Sequence, residues 1–406
     1  MQNKMDTMPY PAHLQKVVPN FGHNNSRLSA TEKLLILCSQ RNLEENSLGQ
    51  IENLINIGID WQKLLECAFS NGVTALVYNT LRESGHYSTL TQHIRDKLRS
   101  AYLYIISKSF LRHDELIKLL QQFNERNILV APLKGTFLAK KLYGDVYWRD
   151  LSSDSDLLIR EEDRIKARSL LQELGYINIS DSREEYLGNY VFKKAKALPV
   201  DLHWSITFRI GYSQERTAKL LADTRLAEEA CVSYFEFKEE ELLLYLAAHL
   251  AASSVFRQLR YVCDINELLS KYKEAMDWDR LISKAEDFRL ASSLYTALKL
   301  AKNFFNSEMP IVMFKRLKPG LIKRVFIDIF ANKKVMLRQI FRRRLIDKLL
   351  SPIFFRFIEG EWRTVFFPPR QALVTKNYGL RIIKGGWQIC SIFLKLEPRW
   401  VKEKKF

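Results

Sequence analysis

Three carboxylates are spaced as a divalent-metal site requires: Asp154 and Asp156 in Asp154-Ser155-Asp156-Leu157-Leu158-Ile159, and Asp201 in Val200-Asp201-Leu202-His203-Trp204. In an extended chain residues i and i+2 leave the same face, which sets the first two carboxylates about 7 Å apart by backbone rise. Magnesium takes oxygen ligands and keeps substrate phosphates in its shell. Two such ions about 4 Å apart can serve the attacking and the leaving oxygens of a phosphoryl displacement. Asp201 is the third member, because Val200 and Leu202 alternate with Asp201 and His203 and turn inward. Lys134-Gly135-Thr136 supplies the complementary half: glycine admits a close backbone approach, and the helix that follows offers unpaired N–H groups to phosphate. Arg149, shortly before the carboxylate pair, is read as a charge clamp on a triphosphate. Taken singly, each motif also fits a plainer role: a solvated Asp-x-Asp surface, a turn with a helix cap, the polar face of an edge strand.

These residues need elements to hold them. Ile128 to Leu133 is a short apolar strand candidate, Thr136 to Tyr143 a helix ended by Gly144, and Asp154 to Ile159 a second strand. Glu161 to Leu174 is an amphipathic helix with acidic residues in its first turn, stopped at Gly175 where a left-handed cap is favoured. Tyr176 to Ser180, Asn189 to Lys194 and Pro199 to Trp204 alternate as strands do. The flanks read as helical. Ser29 and Asp60 open helices as caps, and Leu98 to Asn127 keeps helical spacing. After Gly211 helices are expected over Glu215 to Ala230, Glu239 to Ser253, Leu259 to Tyr272 and Asp279 to Phe305. The reading is therefore α+β, with four regions: a helical region 1–127, an α/β core 128–210, a helical domain 211–310, and a basic, aromatic-rich region 311–406.

Bulk properties agree with a folded enzyme-sized chain of 406 residues, 47% hydrophobic, with 24 Phe and 17 Tyr. No apolar run is long enough to span a bilayer, and no secretory signal is visible, so a cytoplasmic location is expected. The five cysteines are far apart and lack Cys-x-x-Cys spacing, which reads as reduced core thiols. The net charge of +17 is local: residues 311–406 carry 23 Lys and Arg against 6 Asp and Glu, and the rest of the chain balances. There Arg342-Arg343-Arg344 beside Phe341, Phe354-Phe355-Arg356-Phe357, Trp387 and Trp400 form a surface for anionic lipid or an acidic polymer, or else a basic face packed on the body.

The ordered set of glycine turn, helix, Asp-x-Asp strand, helix and later strand carboxylate resembles the polymerase-β-like nucleotidyltransferases. More narrowly, Leu133-Lys134-Gly135, Tyr143, Arg149, Asp154-Ser155-Asp156 and Asp201-Leu202-His203-Trp204 resemble an uncharacterised bacterial nucleotidyltransferase family of that superfamily. The likeness runs from about residue 30 to 310. Two departures stand out: the 17 residues between Thr136 and Asp154, and a serine, Ser155, where an apolar residue is usual. The resemblance implies a mixed sheet with flanking helices, embedded between helical regions. It also implies transfer of a nucleoside monophosphate from a nucleoside triphosphate to an acceptor hydroxyl, with two Mg2+ or Mn2+ ions on Asp154, Asp156 and Asp201. Lys134, Gly135, Thr136 and Arg149 would take the nucleotide. His203 would orient Asp201 or the acceptor, or else be a strand-end surface histidine, and the helical His249, Arg257, Arg260 and Asp264 would line the acceptor side or form a buried packing network. The acceptor stays open among protein, sugar, small molecule and nucleic acid. Two other readings remain: a catalytically retired member acting as a binding protein, and an accessory protein working through 311–406 at the inner face of a membrane or on a polyanion.

Overall fold

The computed structural model describes residues 28–43, 45–150, 154–180, 188–206, 214–252 and 258–330. Two of the first three helices follow from their caps. Ser29 and Glu32 close a reciprocal capping box on α1 (Ala30–Leu37), and Asp60 accepts from the Lys63 amide to open α3 (Trp61–Asn71), with α2 (Glu45–Ile57) between them; each such cap is worth about 1 kcal/mol. Then come α4 (Thr74–Glu83), the one-turn α5 (His86–Thr89) and the 34-residue α6 (Gln92–Glu125).

The central sheet has the order β1-β2-β5-β4-β3, built from β1 (Ala131–Pro132), β2 (Ser155–Leu158), β3 (Ile177–Asn178), β4 (Asn189–Lys193) and β5 (Val200–His203). Only β2 and β5 run parallel, in a register that sets Asp156 opposite Asp201; the other pairs are antiparallel. Between β1 and β2 lies α7 (Gly135–Tyr143), and between β2 and β3 lies α8 (Arg164–Glu173), entered through a 3-10 turn at Glu161–Asp163. The chain thus alternates as expected and the sheet is mixed, flanked by helices. Gly175 has the expected left-handed backbone, φ 83°.

One expectation is corrected. Of the helix foreseen over Glu215 to Ala230, only α9 (Gln214–Ala222) forms; Thr224–Glu229 (β6) and Val232–Phe237 (β7) make a hairpin instead. Its tight turn uses Ala230 and Cys231 at φ 50° and 61°, a conformation that normally calls on Gly or Asn, so the sequence gives no turn signal there. The Phe235 amide donates to the Val130 carbonyl, which fastens the hairpin beside β1. Cys231 is consequently exposed rather than in the core, whereas Cys38, Cys67 and Cys263 are buried as free thiols; Cys390 lies outside the described residues.

The remaining helices are α10 (Glu239–Ala252), α11 (Leu259–Tyr272), α12 (Trp278–Asp287), α13 (Ala291–Phe305), α14 (Ile311–Arg316) and α15 (Leu321–Phe330). The single helix foreseen over Asp279 to Phe305 is two, broken where Arg289 takes φ 54°. Two cores result. Leu157, Ile159, Phe192, Val200 and Leu202 of the sheet pack with Leu120 and Phe123 of α6 and Leu171 of α8. The larger core joins the first helices to the last ones, Leu64 and Leu76 with Leu246, Leu268 and Leu298, and reaches the sheet domain through Leu138, Leu142 and Leu158. Among the described residues no helix is long and apolar enough to cross a membrane. The aromatic and arginine runs read as a lipid or polymer surface, from Phe341 to Trp400, lie outside them.

Candidate active site

The site forms where the end of β1 lies beside the first residues of β2 and β5. The Leu133 amide donates to the Asp156 carbonyl at 3.0 Å, extending the β1–β2 ladder and drawing Lys134 alongside Asp156. Lys134 Nζ then lies 2.9 Å from Asp156 Oδ2, both side chains being buried. Gly135 follows at φ 76°, with open space where a Cβ would stand. This is a left-handed turn that glycine alone adopts freely. It leads directly into α7, whose N-cap residue, Lys134, makes no side-chain cap. An uncapped helix start beside open space is suited to receive an anion.

Register does the rest. Asp156 and Asp201 are opposed across parallel strands, and His203, two residues on in β5, shares the Asp201 face. Its Nε2 is buried without a hydrogen-bond partner and lies 3.6 Å from both Asp156 Oδ1 and Asp201 Oδ2, beyond hydrogen-bond range. One atom from each of these three side chains falls within 4.8 Å of the others. Ligand atoms around a cation bound at about 2.1 Å are roughly 3 Å apart when adjacent and 4 Å when opposite. An orphaned imidazole nitrogen between two carboxylate oxygens at this spacing fits a divalent cation.

Asp154 belongs to the other side of the cleft. It sits in a bend just before β2 rather than within it and lines a cleft with Arg112, Leu116, Lys134, Gly135, Thr136, Ser155, Asp156 and Leu198. Burial, then the negative Asp156, then Asp201, push its carboxyl up against the pull of Lys134. Asp156 behaves oppositely: burial would raise it, but the Lys134 ammonium and His203 hold it well below the usual carboxylate range. The 17 residues before Asp154 are in large part accounted for. They complete α7, form a 3-10 turn at Val146–Trp148, and place Asp150 as acceptor for the Thr74 and Ala75 amides at 3.1 and 2.8 Å, which caps α4.

Arg149 is corrected. Its Nε and Nη2 each donate to Asp264 at 2.8 Å, in a fork with side chains 1% and 0% exposed, and the Tyr143 hydroxyl adds a third bond to Asp264. Burial disfavours the guanidinium charge and Asp264 overcomes it, so this arginine ties the sheet domain to α11 rather than facing the cleft. Arg260 likewise bonds the Asp150 carbonyl, Gln258 and Tyr261. His249 does reach the site: Lys134 Nζ stands 3.5 Å from its Nε2, and burial with the nearby Lys134 charge keeps the imidazole neutral, as an acceptor. Arg257 lies outside the described residues.

Two residues of α6 escaped the sequence. Arg112 lines the same cleft as Asp154, its guanidinium partly desolvated and its charge favoured by that carboxylate. His113 bonds Thr136 Oγ1 at 2.9 Å through Nδ1 and Glu229 at 3.0 Å through Nε2, with Lys140 also on Glu229. Both sit in a run whose spacing reads as packing; the one signal was an Arg-His pair at the centre of an otherwise amphipathic helix.

A family model described as uncharacterised nucleotidyltransferase matches residues 58–306, more than half of the chain and all of the residues just described. No curated protein and no solved structure matches it.

Proposed function

Because the chain belongs to this uncharacterised nucleotidyltransferase family, we propose that it moves a nucleoside monophosphate from a nucleoside triphosphate onto an acceptor hydroxyl. The observation that carries the reading is the register of β2 on β5, which brings Asp156, Asp201 and His203 within ligand distance of one another. Asp156, Asp201 and His203 would hold one divalent ion; Asp154, with phosphate oxygens of the donor, would hold a second. A divalent ion there supplies positive charge against the transferring phosphate and acidifies a hydroxyl beside it. Mg2+ and Mn2+ are the candidates.

The chain's own residues divide the remaining work. Gly135 and the amides opening α7 cradle the phosphates, with Thr136 fixed by His113 so that the helix start keeps its place. Arg112, rather than Arg149, supplies the guanidinium facing the triphosphate, where its planar fork suits phosphate oxygens. Lys134 hands its charge from Asp156 to the donor as phosphate enters, and neutral His249 accepts a hydrogen bond from it throughout. Asp201, oriented by Asn189 Nδ2 on its Oδ1 at 2.7 Å, takes the acceptor proton. Fold alone does not choose the acceptor, and protein, sugar, small molecule and nucleic acid are all to be tried.

One observation favours a second reading, a binding protein retired from catalysis. Lys134 already neutralises Asp156, so this carboxylate has a counter-ion of its own without a metal. Mass spectrometry of the protein and a cell extract, after incubation with each common triphosphate and Mg2+ or Mn2+, separates the two. A nucleotidyl mass on any acceptor supports transfer; triphosphate binding with no such product in any mixture supports retirement.

A further inference from the structure

Each carboxylate of the cation site uses one oxygen for a partner in the protein and turns the other toward His203. On Asp156, Oδ2 takes Lys134 at 2.9 Å and Oδ1 faces His203 Nε2 at 3.6 Å. On Asp201, Oδ1 takes the Asn189 amide at 2.7 Å and Oδ2 faces the same nitrogen at 3.6 Å. Asn189 stands opposite His203 in the β4–β5 ladder, so strand pairing fixes all three side chains together. The equal 3.6 Å spacing leaves the nitrogen and two oxygens aimed at a common centre. Lys134 and Asn189 act from behind, as the outer partners of metal ligands do.

We infer that His203 donates Nε2 directly to the cation, making an O,O,N site that selects a first-row transition ion such as Mn2+ over Mg2+. Mg2+ takes oxygen and sheds water reluctantly, whereas first-row transition ions accept an imidazole nitrogen more readily, Mn2+ least among them and Zn2+ far more. This inference rests on the cation-site reading above, in which His203 is already a ligand, and adds to it the choice of ion that the nitrogen makes. It also explains the pattern Asp-x-His on β5, which a purely oxygen-bound ion does not require.

Pulsed electron paramagnetic resonance on the full-length protein with Mn2+ tests it without any need for turnover. The wild type should show modulation from a directly bound 14N nucleus, and His203→Asn should abolish that modulation. Competition titrations should show Mn2+ preferred to Mg2+ by at least about tenfold, with His203→Asn losing about tenfold in Mn2+ affinity and little in Mg2+ affinity. Mn2+ bound without 14N modulation in the wild type, and lost in Asp156→Asn, would overturn the nitrogen ligand while leaving a carboxylate cation site intact. No Mn2+ binding with or without a triphosphate analogue would overturn the cation site itself, and this inference with it. Persistence of the modulation in folded His203→Asn protein would assign the nitrogen to another residue.

Discussion

Replacing Arg149 with methionine separates a structural role from a substrate-binding one. The guanidinium and Asp264 form a forked pair at 2.8 Å with exposures of 1% and 0%. The methionine leaves Asp264 charged, buried and holding only the Tyr143 hydroxyl at 3.1 Å. Stranding one member of a buried pair costs about 3–5 kcal/mol, which in a chain of this size lowers the melting temperature by roughly 4–6 °C. Thermal and urea melts of wild type and Arg149→Met measure this directly. Adding Asp264→Asn should recover most of the loss, since the amide oxygen still accepts from Tyr143 and no charge is left unpaired. A variant that melts like wild type but has lost triphosphate affinity would refute the reasoning and return Arg149 to the cleft.

Other expectations follow from the same geometry. Gly135→Ala should cost only about 1–2 kcal/mol of stability for a left-handed alanine, because open space surrounds its Cβ. Triphosphate affinity by calorimetry should nonetheless fall at least tenfold as the methyl fills the phosphate approach. Gly188→Ala should be the reverse: a Cβ there would sit 2.4 Å from Ser205 Cβ at φ 88°. The Gly188 carbonyl also holds the Trp204 and Ser205 amides, so denaturation midpoints should drop sharply. Glu267 carries a pH signature: burial lifts its carboxyl from 4.5 to about 6, the Arg41 amide only partly opposing. The folded state thus favours the protonated form, a stability complete below about pH 4.5 and lost as pH rises through about 6. Glu267→Gln should match wild type near pH 4 and exceed it by about 2 kcal/mol at pH 8. A constant difference across that range would contradict this.

What the sequence disclosed tracks how local each cause is. Gly135, the β2 and β5 strands and their carboxylates were legible because a turn, a period-two alternation and a helix start are all set within a few residues. The inward turn of Arg149 was not, since its partner Asp264 lies 115 positions away and only tertiary packing brings them together. Arg112 and His113 were hidden for a related reason: on α6 their spacing is that of any amphipathic helix, and the neighbours that give them meaning, Asp154, Thr136 and Glu229, arrive from elsewhere in the chain. The hairpin β6–β7 was missed because its turn residues, Ala230 and Cys231, adopt left-handed backbone against their own preference. From the sequence His203 reads as a residue that orients Asp201 or the acceptor; the parallel register sets it between two carboxylates.

Transfer of the α-phosphoryl group is the central claim, and paired labelling tests it most directly. Full-length protein, Mn2+ or Mg2+ and a cell extract would be incubated with triphosphates labelled at the α or the γ position. Only the α label should move onto an acceptor, with release of pyrophosphate, and Asp156→Asn and Asp201→Asn should abolish the transfer. Movement of γ label, or α transfer that survives both substitutions, would contradict it.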